Sequence, residues 1–245
     1  MKSKIYIFLF IFQFFSNAFA ESLQIQAKNI TLDKDKVTTV FENDVVVKTK
    51  NKIIKSQYVK YNKKVGLLIL KNNIIAEDNN NNTITAENAE YDENEEIFKT
   101  FGPTNIVTSE EYIVKGRDII INNKSKNISS NKATYINDPE GNYIELQNFD
   151  YQVNNNIFKS IGPVKILDKL ENNYEFSQIY IDTQKKEILG TDIKAFLNDE
   201  SVKVSPKNKP RVFANAIKIS PKKSIFNKSI FTICDYREND KCPPW

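Results

Sequence analysis

The chain contains no histidine, a single methionine and a single tryptophan. Without an imidazole it can build neither a Ser-His-Asp nor a Cys-His nucleophile system, nor a histidine metal site. Its two cysteines, Cys234 and Cys242, both lie in the C-terminal tail, and two thiols with no histidine make a poor zinc site. Beyond residue 20 no apolar run reaches the length needed to span a bilayer as a helix. Neither sign of charge is in large excess, with 35 Lys and Arg mixed among 31 Asp and Glu. That balance gives no case for nucleic acid. The acidic pairs Glu95-Glu96 and Glu110-Glu111 have the chemistry of a glycosidase pair, but they stand among turn residues and read as solvated loops. No catalytic residue, cofactor or metal is expected, and the chain reads as something other than an enzyme.

The first twenty residues read as a secretory signal peptide. Lys2 and Lys4 precede an apolar run from Ile5 to Phe15, and Ala18-Phe19-Ala20 offers a small-residue cleavage site before Glu21. Eleven apolar residues are too few for a membrane-spanning helix. Loss of Lys2 and Lys4 lowers the formal net charge from +4 to +2.

What the chain does have is a repeat. Residues 83–107, TITAENAEYDENEEIFKTFGPTNIV, carry apolar or small residues at Ile84, Ala86, Ala89 and Tyr91, spaced two, three, two. A plain strand alternates by two throughout. One extra residue in an antiparallel strand is a bulge, and it bends the strand. The spacing predicts a strand that turns a corner while one side keeps facing inward. The same four positions recur at Ile25, Ala27, Ile30, Leu32 and at Ile54, Ser56, Val59, Tyr61. They return at Val114, Gly116, Ile119, Ile121 and at Ile144, Leu146, Phe149, Tyr151. Two further sets are Tyr174, Phe176, Ile179, Ile181 and Val212, Ala214, Ile217, Ile219. The second position advances in steps of 29, 30, 30, 30, 30 and 38 residues, a period that marks a stacked-repeat architecture. A second motif, Ile97-Phe-Lys-Thr-Phe-Gly-Pro103, returns sixty residues on as Ile157-Phe-Lys-Ser-Ile-Gly-Pro163, identical at five of seven positions. Its Gly-Pro is read as closing a turn.

Each repeat holds two extended segments joined by a polar turn, as at Asp33–Lys36, Asp92–Glu95 and Thr183–Lys186. Asn79–Asn82 is read as a loop tip. No stretch shows helical periodicity over twelve residues. The expected fold class is all-β: an elongated, jelly-roll-like or solenoid-like stack of bent antiparallel strands. Seven repeats of two strands give fourteen, roughly 65 Å long at a strand spacing of about 4.8 Å. The inward positions are expected to line an apolar groove. They are Ile25, Ala27 and Ile54 early in the chain, then Ile84, Ala86, Val114 and Gly116, then Ile144, Leu146, Phe149, Phe176 and Ala214. For any one of them an ordinary packed core is the plainer reading.

The first strand begins almost at Glu21 with no obvious cap, which leaves an edge able to accept a strand from a partner. From Pro206 the texture changes, and residues 221–245 have no assigned place in the stack. An even cysteine count in an exported chain suggests a disulfide, with Cys234–Cys242 and pairing to another chain both open. The expected organisation is therefore 1–20 leader, 21–220 repeat domain and 221–245 junction.

The leader and the thirty-residue β repeats, with a small-residue centre and a Tyr-Asp end in Ala86-Glu-Asn-Ala-Glu-Tyr-Asp92, resemble the OstA/LptA-like domain of lipopolysaccharide transport. Phe231, Thr232, Cys234, Cys242, Pro243, Pro244 and Trp245 resemble the junction that leads from that domain into the outer-membrane barrel of α-proteobacterial LptD proteins. The chain stops at Trp245, where the barrel would begin. Its cysteines stand farther apart than the Cys-x-x-Cys of that group, which leaves their pairing open. The resemblance implies a periplasmic jelly roll, associated with the outer membrane, that holds the lipid A acyl chains of lipopolysaccharide and passes them outward. It also implies edge-strand pairing with an LptA-like bridge protein, and an outer-membrane assembly partner. The competing class is an extracellular β-solenoid adhesin or carbohydrate-binding or lyase-like protein. That class would place rows of acidic or aromatic residues on the outer face, and no consistent row is legible.

Overall fold

A computed structural model describes residues 23–34, 36–198 and 210–233. The leader, Cys234 and Cys242 lie outside the described residues. Within them the chain is all-β, apart from one 3-10 turn at Val153–Asn155. Strands β1 (Gln24–Gln26) and β2 (Asn29–Leu32) are the two halves of one bent strand. Five unbroken strands follow: β3 (Thr38–Lys48), β4 (Lys52–Asn62), β5 (Leu67–Asp78), β6 (Thr83–Asp92) and β7 (Ile97–Val107). In the middle the bend interrupts the strand, giving β8 (Ile113–Arg117) with β9 (Ile120–Asn122), β10 (Asn127–Ser130) with β11 (Thr134–Asn137), and β12 (Tyr143–Leu146) with β13 (Phe149–Gln152). The series ends with β14 (Ile157–Leu167), β15 (Asn173–Asp182), β16 (Glu187–Phe196), β17 (Arg211–Ser220) and β18 (Lys223–Thr232). The described residues thus hold fourteen bent strands, each antiparallel to the next in one sheet.

The corner is written into the pairing. Ala86 lies opposite Thr104, but the next pair is Asn88 with Phe101. Glu87 on one strand and Gly102-Pro103 on the other are left over. Similar slips separate Glu42 from Val45, Lys71 from Ile74, and Ile161 from Val164. Beyond the corner the second arm lies over the first, so one side of every strand faces a common interior.

The Gly-Pro pairs therefore do not close turns. They sit at the corners of β7 and β14, where Gly102 has φ 80° and Gly162 φ 129°. A bulge needs a positive φ, which glycine adopts freely, and the proline's missing donor is tolerated where ladder pairing lapses. Other returning strands solve the same problem with Asn43-Asp44, Asn72-Asn73 and Asp192, all at φ between 50° and 67°. Asparagine and aspartate tolerate that region better than other side chains.

The period has a backbone cause. Lys36, Gly66, Glu96, Lys126, Asn156 and Lys186 each have positive φ and fall thirty residues apart in the turns at one end of the arms. Consecutive turns there are tied by main-chain bonds such as Glu93 N–H to Gly66 O, 2.8 Å, and Thr183 N–H to Asn156 O, 2.9 Å. At the other end, asparagines form the ladder. Asn82, Asn142 and Asn172 each donate from Nδ2 to the aspartate four residues earlier, at 2.8, 2.6 and 2.8 Å. Each also accepts, on Oδ1, an amide of the next turn: Ser109 at 3.0 Å, Lys169 at 3.2 Å and Asn198 at 2.7 Å. Asn82 is thus a tie between repeats rather than a free loop tip. The step of 29 arises because the turn closed by Thr49 N–H to Lys52 O is one residue shorter than that closed by Asp78 N–H to Asn82 O. The step of 38 is the long connection whose ends are joined by Leu197 N–H to Pro210 O.

The first copy departs from the inward reading. Ile30 and Leu32 are each 60% exposed. Ile30 pairs with buried Phe41 and shares its face, but β2 has no strand beyond it among the described residues, so nothing covers it. At the far end β18 pairs along β17. This gives residues 223–232 a place as the last strand of the stack, and they do not fold back over β1 and β2. Ile225, Phe226, Ile230 and Phe231 stay exposed on it.

Candidate functional site

The interior between the arms is the candidate site. Ile54, Ile84, Ala86, Gly116, Leu146, Phe149, Phe176 and Ala214 are buried in it. Ile25, Ala27 and Val114 pack against one apolar cluster, running from Phe41 to Ile119. Ile144 packs against a second, running from Leu146 to Ile217. The twelve residues expected to line the groove are therefore each buried or packed against one of these two clusters.

The corner itself is lined by hydroxyls, which spacing alone did not reveal apart from Ser56. Bulging frees main-chain groups that must be satisfied when buried. Ser56 Oγ donates to Lys71 O at 3.0 Å, Ser130 Oγ to Arg117 O at 2.6 Å, and Ser160 Oγ to Asn148 O at 2.6 Å. Thr100 Oγ1 accepts from Ile119 N–H at 3.0 Å and from Thr104 Oγ1 at 2.7 Å. Small residues at the bend also make room. A Cβ on Gly190 would lie 2.6 Å from the Phe176 ring.

The two halves of the interior differ. At the free ends of the arms in the first half, Val47, Ile54, Ala76, Ile84 and Ile106 on one arm and Leu68, Tyr91 and Phe98 on the other are all at most 8% exposed. From Val114 onward the equivalent residues are half-buried: Val114, Ile136, Ile144, Ile166 and Tyr174 face Ile121, Ile128, Tyr151, Phe158 and Ile181. Thr39 and Tyr61 in the first half and Ala195 in the second are exceptions. The lining at the mouth between the arms is thus covered over β5 to β7 and partly exposed to solvent over β8 to β17.

A clasp of side chains covers the first half. Asn51 Nδ2 donates to Glu96 Oε2 at 3.3 Å, joining the β3–β4 turn to the β6–β7 turn. Lys52 occupies the ladder position that asparagine holds in later repeats, but its side chain points inward. Its Nζ stands 5.2 Å from the centre of the Phe98 ring, and the residue is only 4% exposed. Burial pushes its pKa down to about 8, against the raising influence of Asp78 and Glu96, with Lys126 adding to the depression. Sequence position gave one signal for this residue: it is the only charged side chain two residues before the first marked position of a copy.

Among the described residues no group of three or more His, Cys, Asp or Glu comes together that could hold a metal ion. Glu95 is taken up by Lys124 at 3.4 Å and Glu96 by the clasp. No family model matches the chain, and no curated protein matches it. Among solved structures it is similar to LptH from Pseudomonas aeruginosa, described as the LptA homologous periplasmic component of the lipopolysaccharide transport device. The identity is 14%, the match covers 69% of this chain and 80% of that one, and the TM-score is 0.18. A likeness of that size does not bear on what this chain does.

Proposed function

We propose that the chain is a non-enzymatic lipid carrier of lipopolysaccharide export, which holds acyl chains between its two arms and hands them toward the outer membrane. The observation that carries this reading is the half-open interior. Over β8 to β17, two facing rows of Ile, Val, Phe and Tyr are buried enough to be dry at the corner and exposed enough at the mouth to be reached. An acyl chain laid there would remove apolar surface of both partners from water, at about 25 cal/mol per Å². The residue-level resemblance to the OstA/LptA-like domain supports lipopolysaccharide as the lipid, and the leader at 1–20 supports export to the periplasm.

The edges support assembly. Among the described residues strand β1 pairs only with β3, and β2 likewise, which leaves main-chain groups for an LptA-like bridge protein or an outer-membrane partner to pair with. The test is photo-crosslinking. A crosslinking residue at Ile144 or Phe158, on the inner rows, captures lipopolysaccharide, while one at Lys124, in an outer turn, does not. Equal capture at inner and outer sites refutes the groove.

A further inference from the structure

The duplicated heptads converge on one hollow that lies on the outer face of the second arm, away from the apolar interior. Pairing places Lys99 beside Ile120, Ile120 beside Ser129, Ser129 beside Asp150, and Asp150 beside Lys159. These five residues form one row across five strands, about 19 Å from end to end. Lys99 and Lys159 are the third residues of the two heptads. The repeat between them carries Ser129 at that position, where its neighbours carry lysine. The missing bulk opens a hollow of about 630 Å³ lined by this row, with Phe101 at one end and Ile161 at the other.

Its chemistry is specific. Lys99 is in no ion pair among the described residues, and its Nζ lies 5.0 Å from the centre of the Phe101 ring. Asp150 Oδ1 is buried and accepts no hydrogen bond, with Lys159 Nζ 3.7 Å away. The other nearby carboxylate, Asp118, is occupied by Gly102 N–H at 2.7 Å. One end thus offers a cation without a counter-ion among the described residues, and the other a carboxylate oxygen that is ion-paired with Lys159 but accepts no hydrogen bond. Between them lie the apolar side chain of Ile120 and the hydroxyl of Ser129. An inorganic anion would leave Asp150 and the apolar wall unused, and a fatty acid would bury its tail against a carboxylate.

We propose that this hollow binds an acidic sugar of one or two rings. Its carboxylate or phosphate pairs with Lys99, a ring hydroxyl donates to Asp150 Oδ1, and its C–H face lies on Ile120 and Phe101. The volume falls in the range of small-ligand sites. The row from Lys99 to Lys159 is on the opposite face from the acyl groove, with Phe149 alone of the groove residues reaching the hollow, so its failure leaves the lipid reading intact.

The experiment is an amide-resolved NMR titration of the protein with digalacturonic acid, with lactose and inorganic phosphate as controls. Digalacturonate is expected to shift Ile120, Ser129 and Asp150 saturably, with a Kd of about 1 mM or tighter, while lactose and phosphate leave them in place. Ser129→Lys restores the bulk of the neighbouring repeats and abolishes the shifts. Lys99→Gln, a change at the surface that leaves the fold intact, weakens binding about tenfold or more, as expected for one charge-assisted bond. The absence of saturable shifts overturns the proposal, as does undiminished binding by Lys99→Gln. Equal binding of lactose shows that charge is not read, and equal binding of phosphate shows an ion site only. Either result overturns the acidic-sugar assignment.

Discussion

Lys52→Met tests the clasp directly. Lys52 is buried, and its ammonium ion is in no ion pair among the described residues. Lowering its pKa from 10.5 to about 8 amounts to a penalty of about 3 kcal/mol on the folded state wherever both states hold the proton. The Phe98 ring beneath the ammonium returns about 1 kcal/mol of that. Methionine fills similar space without a charge to desolvate. The variant is expected to be more stable than the parent by about 2 kcal/mol at pH 7, read from urea unfolding midpoints at constant m. The sign with pH follows from the direction of the shift. Between about 8 and 10.5 the unfolded chain holds more protons than the folded one, so this group's penalty on the parent fades as pH rises through that window. The gap between the two proteins should fall below about 1 kcal/mol at pH 10. A variant less stable than its parent at pH 7, or a gap of equal size at pH 7 and pH 10, would refute the reasoning. The second result would mean that packing, and not the buried charge, sets the difference.

Asn172→Ala removes the donor to Asp168 Oδ2 and the acceptor for Asn198 N–H at a residue only 4% exposed. It should destabilise by about 2 kcal/mol in the same unfolding assay, and a loss below about 0.5 kcal/mol would show that the ladder is ornamental. Lys186 has φ 53° in an exposed turn, so Lys186→Gly should stabilise by about 1 kcal/mol. Loss of stability there would mean that this backbone is not left-handed in solution.

The bent strand was legible in residues such as Ile84, Ala86, Ala89 and Tyr91, because bulging shifts the side-chain alternation by one and any reader of spacing can see the slip. The period was legible too, since the same residue types return every thirty positions. The corner of the returning strand was not. It is set by backbone conformation at Asn43-Asp44, Asn72-Asn73, Gly102 and Gly162, and these residues look like ordinary turn formers until their strand partners are known. Gly102-Pro103 misled for that reason.

What only the tertiary structure decided is which part of the interior is open. Sequence marks Ile54 and Ile144 with the same pattern, yet one is fully covered and the other half-buried. The difference comes from Asn51, forty-five residues from Glu96, and from Lys52 reaching over Phe98. The outer hollow has the same origin, because Lys99 and Lys159 become ends of one row only when the strands between them are laid side by side. Spacing along a chain reports which face a residue takes in its own strand, because that is local geometry. Whether the opposite arm closes over that face depends on side chains brought together only by the stacking of repeats.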